Sequence, residues 1–166
     1  NDPIEKENFT KQIAFNAIPH IGYFEEEGYT DEEIKISFET QKLLGTTIAI
    51  TATAVRIPVF IGHCLSANVE FESEVTVEQA RQALREGEGL SVIDFRQDEG
   101  YVTPVECAGE DNIFVSRIRQ DFSVPYGLNL WIVGDNLRKG AALNTVQIAE
   151  AWIQYENASH QKINAQ

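Results

Sequence analysis

Val55-Arg56-Ile57-Pro58-Val59-Phe60-Ile61-Gly62-His63 decides how the surrounding chain is read. It is an apolar, β-branched run and therefore strand-forming, yet it holds a proline at its centre and a glycine before its last residue. Pro58 cannot donate to a ladder and belongs at an edge, a bulge or a strand end. Gly62 permits a positive φ, which would turn His63 out of the line of the preceding residues. A guanidinium such as that of Arg56 grips a carboxylate or phosphate through two parallel hydrogen bonds. Imidazole is the side chain whose ordinary titration lies nearest neutral pH. An anion clamp and a proton shuttle on one stiff segment suit an enzyme of small acids. Taken alone, the segment reads more readily as a solvent-facing arginine and a histidine at a strand end.

Working outward, Thr47 to Val59 alternates small polar and apolar residues as a strand does, and Ile13 to Ile21 reads as another, leading to Pro19. Between them, Thr30 with Glu33 spells a capping box, Ile34, Phe38 and Gln41 follow one side of a helix, and Gly45 stops it. Beyond His63, Leu65 to Phe71 alternates, and Thr76 with Gln79 opens a second helix that Gly87 ends. Leu90 to Phe95, Ile113 to Arg119 and Leu128 to Val133 complete the strands; in the second, Ile113, Val115 and Arg117 share a face, and the third reads as buried on both sides. From Arg138 the period turns helical, with Ala142, Val146, Ala149 and Ile153 as its stripe. Five or six strands and three helices in this order predict an α+β fold: a mixed, largely antiparallel sheet with helices on one face. Residues 1–166 are expected to form one domain, with 1–8 and 156–166 frayed.

Composition narrows the function. The formal net charge is −13, from 26 acidic and 13 basic residues, which disfavours nucleic acid and anionic membranes as partners. No run is long and apolar enough for a membrane span. Cys64 and Cys107 lie in neither metal-ligand nor redox spacing, so we expect no metal and reduced thiols in a cytoplasmic protein. Gly87-Glu88-Gly89 follows a helix and lacks a third glycine, so no dinucleotide fingerprint is present.

Longer runs carry a resemblance. They are Gln12-Ile13-Ala14-Phe15-Asn16, Ile18-Pro19-His20-Ile21, Glu39-Thr40-Gln41-Lys42-Leu43-Leu44-Gly45, Arg56-Ile57-Pro58-Val59, Gly62-His63 and Asn68-Val69-Glu70-Phe71. Thr103-Pro104, Ala108-Gly109, Val115-Ser116-Arg117-Ile118-Arg119 and Gly127-Leu128-Asn129-Leu130-Trp131 follow. The most specific is Asp135-Asn136-Leu137-Arg138-Lys139-Gly140-Ala141-Ala142-Leu143-Asn144. In this order and over most of its length, the chain resembles aspartate-semialdehyde dehydrogenases.

The resemblance implies a glyceraldehyde-3-phosphate-dehydrogenase-like C-terminal domain, the substrate-binding and dimerisation half of an NADP-dependent oxidoreductase. Such an enzyme reversibly reduces L-aspartyl 4-phosphate to L-aspartate 4-semialdehyde and phosphate through a cysteine thioester. It serves lysine, threonine, methionine and diaminopimelate biosynthesis. His63 then matches the general acid/base, and Arg56 the residue holding the substrate's α-carboxylate. Glu32 and Lys35, one helical turn apart, match the pair contacting the substrate amine and the phosphate, with Glu39 the next candidate in another register. Asn136 matches a cofactor contact and reads equally as a helix N-cap. His20 reads as structural. In the family the dinucleotide-binding domain and the nucleophile precede the region matched here, so the fragment alone is expected to be inactive and to form a homodimer. Two other readings stand beside this one: a free-standing dimerisation or metabolite-binding module, and a related acyl-phosphate reductase such as N-acetyl-glutamyl-phosphate reductase.

Overall fold

Thr30 does start a helix. Its Oγ1 accepts the N–H of Glu33 at 3.4 Å while Glu33 Oε2 accepts that of Thr30 at 2.8 Å, so the capping box closes as its spacing predicts. The helix, α1, runs Asp31–Leu44, with Asp31, Glu32 and Glu33 at the positive end of its dipole. Gly45 ends it in the left-handed conformation, its N–H on Gln41 O. The computed structural model describes residues 8–164, and the backbone groups into two compact units, residues 1–58 and 59–166. Of the ends expected to fray, 1–7 and 165–166 lie outside the described residues.

In the first unit, the strands expected over 13–21 and 47–59 do not form. One antiparallel bridge remains, in which Ile18 and Arg56 exchange both backbone hydrogen bonds at 2.9 Å. The cause is α1. Glu33, Ser37 and Gln41 recur every four residues and so share one helix face. Glu33 Oε1 accepts the Ala54 N–H at 2.8 Å, Ser37 Oγ donates to Ile50 O at 3.2 Å, and Gln41 Nε2 donates to Ile48 O at 2.7 Å. The extended segment thus has backbone groups satisfied by helix side chains instead of a second strand. Its alternation is genuine, but a helix occupies the place of the sheet neighbour. Ile34 and Phe38 stay exposed.

Glu33 is buried, and its carboxyl is held below the usual carboxylate value, first by the Thr30 N–H and next by that of Ala54. A depressed folded value means the stabilisation is complete above the ordinary value of 4.5 and is lost as pH falls through the folded one. Glu33→Gln should therefore flatten the acid limb. Between about pH 6 and about pH 3 the parent's melting midpoint is expected to fall more steeply than the variant's; parallel curves would count against this account.

The second unit holds the sheet. Strands β1 (His63–Glu70), β2 (Leu90–Val92), β3 (Ile113–Asp121) and β4 (Gly127–Gly134) lie in the order β1-β4-β3-β2. β4 runs antiparallel to β1 and β3, and β2 parallel to β3. The sheet is mixed and largely antiparallel, as the alternation predicts, with four strands because the two N-terminal ones never pair. As an interior strand, paired on both sides, β4 buries Leu128 and Val133. Alternation fails in β3: the register shifts between Ser116 and Arg119, and Arg117 takes φ 55°. Val115 and Ser116 are consequently both buried, and Arg117 does not share the face expected of it.

Helix α2 (Val77–Glu86) starts at the second capping box, with Thr76 N–H on Gln79 Oε1 at 2.9 Å, and packs on β2 and β3. A short α3 (Pro104–Cys107) follows β2 in the chain. Thr103 caps it, giving both its N–H (2.8 Å) and its hydroxyl to Glu106. It seats Cys107 beside Val102 and Val133 in the core of this unit. A π-helical turn over Arg138–Ala142, with Gly140 N–H on Asp135 O and Ala142 N–H on Leu137 O, leads into α4 (Leu143–Asn164). The helix passes position 156, where a frayed tail was expected. Its polar end suits a solvated helix: His160 stands 3.9 Å from Glu156 one turn earlier. Val146 and Ile153 of its stripe are each more than half exposed.

Candidate functional site

The glycine in the deciding stretch bends as its chemistry suggests. Gly62 takes φ 101°, and a Cβ there would stand 3.2 Å from both Cys107 Sγ and Pro104 Cβ. Its N–H donates to Asn136 Oδ1 at 2.7 Å. His63 follows as the first residue of β1, paired with Gly134 at the end of β4, and its side chain is exposed. Two residues far apart in sequence thus fix the peptide that leads into the imidazole.

Asp135 and Asn136 divide the roles that the sequence left open for Asn136. The capping falls to Asp135, whose Oδ1 accepts the N–H groups of Leu137 (2.8 Å) and Arg138 (3.1 Å). Asp135 Oδ2 accepts the Gly109 N–H at 2.8 Å. This buried carboxyl is held below its ordinary value, first by the Gly109 N–H and then by those of Leu137 and Arg138. Asn136 commits its oxygen to Gly62, and its amide nitrogen has no partner among the described residues.

Glu32 and Lys35 meet on α1 at 3.7 Å, both partly exposed. Arg56 belongs to the first unit and His63 to the second. The Arg56 backbone is locked by the bridge to Ile18, and its guanidinium lies 5.7 Å from the centre of the Phe9 ring. His20 stacks on Phe24 at 4.4 Å, and its buried Nε2 has no hydrogen-bond partner among the described residues. Burial pushes both cysteine thiols up, and Asp135 adds to the effect at fully buried Cys107. Among the described residues no three His, Cys, Asp or Glu side chains group as a metal site would need, and no helix is long and apolar enough to cross a membrane. A cleft of about 320 Å³ opens in the second unit beside Arg117, Arg119 and Trp131.

The family model for the semialdehyde dehydrogenase dimerisation domain matches residues 1–139. This chain belongs to that family. Aspartate-semialdehyde dehydrogenase of Rickettsia typhi is 50% identical to this dimerisation domain over 147 residues, which cover 89% of the chain and 44% of the relative. The crystal structure of aspartate semialdehyde dehydrogenase II from Vibrio cholerae superimposes with a TM-score of 0.87 at 42% identity, over 92% of this chain and 45% of that one. The same Vibrio cholerae enzyme complexed with ASA matches equally well. A Candida albicans aspartate semialdehyde dehydrogenase with NADP shares the fold at a TM-score of 0.58 and 22% identity, over 75% of this chain and 40% of that one. The dimerisation domain therefore spans less than half the length of the relatives it matches, and its α+β architecture is the one expected.

Sequence reasoning missed the bond from Gly62 to Asn136, since 74 positions separate them. It also missed Asp135, although an aspartate just ahead of a helical pattern is itself a capping signal. The cleft beside Arg117 and Arg119 had no sequence signal, because a bulge forms it.

Proposed function

We propose that this chain is the C-terminal domain of a cytoplasmic, homodimeric, NADP-dependent aspartate-semialdehyde dehydrogenase. The reaction is L-aspartyl 4-phosphate, NADPH and a proton giving L-aspartate 4-semialdehyde, NADP and phosphate. The observation that carries the reading is the Gly62 turn, which presents His63 at a strand start with the Asn136 amide tied to the same peptide. The identity of 50% over 147 residues with the Rickettsia typhi enzyme and the likeness to the Vibrio cholerae structure complexed with ASA support it.

His63 moves the proton that the acyl transfer requires. Arg56 forks onto the α-carboxylate of the substrate. Glu32 accepts from its ammonium group, and Lys35 offers its charge to the phosphate. Their contact at 3.7 Å holds the two side chains one turn apart with opposite charges for those opposite partners. Cys107 is fully buried in the core and Cys64 half-buried within β1, so we place the nucleophilic thiolate in sequence outside these residues. The donor set also fits a nicotinamide cofactor. Asn136 has an uncommitted amide nitrogen that suits a carbonyl acceptor, and NADP, bound mainly by a separate dinucleotide domain, supplies hydride chemistry. An acyl-phosphate reductase of N-acetylated glutamate would have no free substrate amine for Glu32.

Co-expression with the dinucleotide-binding half of the Rickettsia typhi enzyme tests the proposal. The reconstituted enzyme is expected to reduce NADP when given L-aspartate 4-semialdehyde and phosphate together. A stable complex that turns over only the N-acetyl-glutamate analogue, or neither substrate, would overturn it.

A further inference from the structure

We propose that the cleft between Ser66, Tyr101, Arg117, Arg119, Leu130 and Trp131 binds a small oxyanion, a carboxylate or a phosphate, carried on an apolar body. Its volume of about 320 Å³ lies at the small end of ligand clefts. Elsewhere in this unit Arg81 pairs with Asp94, Arg85 with Glu78 and Arg138 with Asp111. Among the described residues, Arg117 and Arg119 form no ion pair, although both line this cleft. Asp121, the carboxylate that feels Arg119, has its oxygens bonded to Ser123 and Asn68 instead. Two arginines thus border one opening.

Arg117 reaches that opening through strain. Its φ of 55° is left-handed, a conformation that costs a residue with a side chain and persists only where its surroundings impose it. Here Asp94 Oδ1 accepts the Ile118 N–H at 3.3 Å, and Arg119 Nη1 donates to Arg117 O at 2.8 Å. Asp94 is itself gripped by the Arg81 guanidinium at 2.7 Å and 2.9 Å. The bulge re-aims a side chain that regular pairing would have sent to the other face. The floor is equally fixed: the Trp131 indole N–H donates to Val102 O at 2.8 Å. The Ser66 hydroxyl at the rim has no partner among the described residues, whereas the nearby Thr103 hydroxyl is committed to Glu106. A strained bulge, two arginines with no carboxylate partner among the described residues and an aromatic floor match an anionic head on an apolar body. This assignment stands apart from the catalytic reading above.

The test is a titration of the 166-residue chain, labelled with nitrogen-15, by benzoate, inorganic phosphate and the uncharged benzamide. Saturable shifts of the Trp131 indole N–H and of the Arg117 to Arg119 amides are expected with benzoate or with phosphate, and which one acts identifies the anionic head. Benzamide should leave them in place. Arg117→Gly keeps the bulge, because glycine adopts positive φ freely, so it should melt no lower than the parent while binding weakens about tenfold or more. Arg119→Gln should weaken binding comparably; because it also removes the Nη1 bond to Arg117 O, its melting curve is read beside that of Arg117→Gly, which keeps the bulge. The proposal falls if neither anion gives saturable shifts, if benzamide matches them, or if both variants bind as the parent does. It falls equally if the shifts follow protein concentration alone, since the cleft would then hold a side chain from a second copy.

Discussion

Replacing His63 with asparagine in the reconstituted enzyme is expected to lower kcat roughly 10²–10⁴-fold, with KM for the semialdehyde nearly unchanged. The structure says why folding should survive. The imidazole is exposed, and its position is set by backbone features: the positive φ of Gly62, the Gly62 N–H on Asn136 and the pairing with Gly134. An asparagine keeps that backbone and some polarity, yet cannot accept and return a proton near neutral pH. Equal falls in kcat and kcat/KM would mark an interaction made only in the transition state. Steady-state rates beside a melting curve decide it: a loss of less than about threefold takes His63 out of proton transfer.

The Arg56→Lys variant should behave differently. Lysine keeps the charge and gives up the planar fork, so kcat/KM is expected to fall about tenfold to hundredfold, mostly through KM. The Ile18 bridge uses only backbone atoms of Arg56, so the substitution leaves the local chain path intact. A lysine can also remain over the Phe9 ring. Initial rates over a range of semialdehyde concentrations separate the two parameters. A variant with parent KM and lowered kcat would move Arg56 from substrate binding to the chemical step.

What could be read from the sequence follows the distance over which each element is decided. The capping boxes at Thr30 and Thr76 are three-residue signals, and both close as read. Strands β1 and β4 announce themselves by alternation and by a continuous apolar run. The stretch 47–59 also alternates, but its partners are Glu33, Ser37 and Gln41 on a helix, and no pattern within the stretch reveals that. The break in β3 escapes for a similar reason: it depends on Asp94, 24 positions from Ile118. In the candidate site, Glu32 with Lys35 is legible from spacing alone. The part Asn136 plays beside Gly62 needed the sheet to bring β1 and β4 together.

That bond also dictates which way round the amide of Asn136 sits. A peptide N–H demands an oxygen, so the NH₂ end has to point away from Gly62. An aspartate there would offer two acceptors and no donor, and a serine would be too short to latch one neighbour while reaching for another. The side chain is two-ended, like a crossbar: whatever pulls on its nitrogen tugs, through a handful of covalent bonds, on the Ile61–Gly62 peptide, one residue ahead of the imidazole.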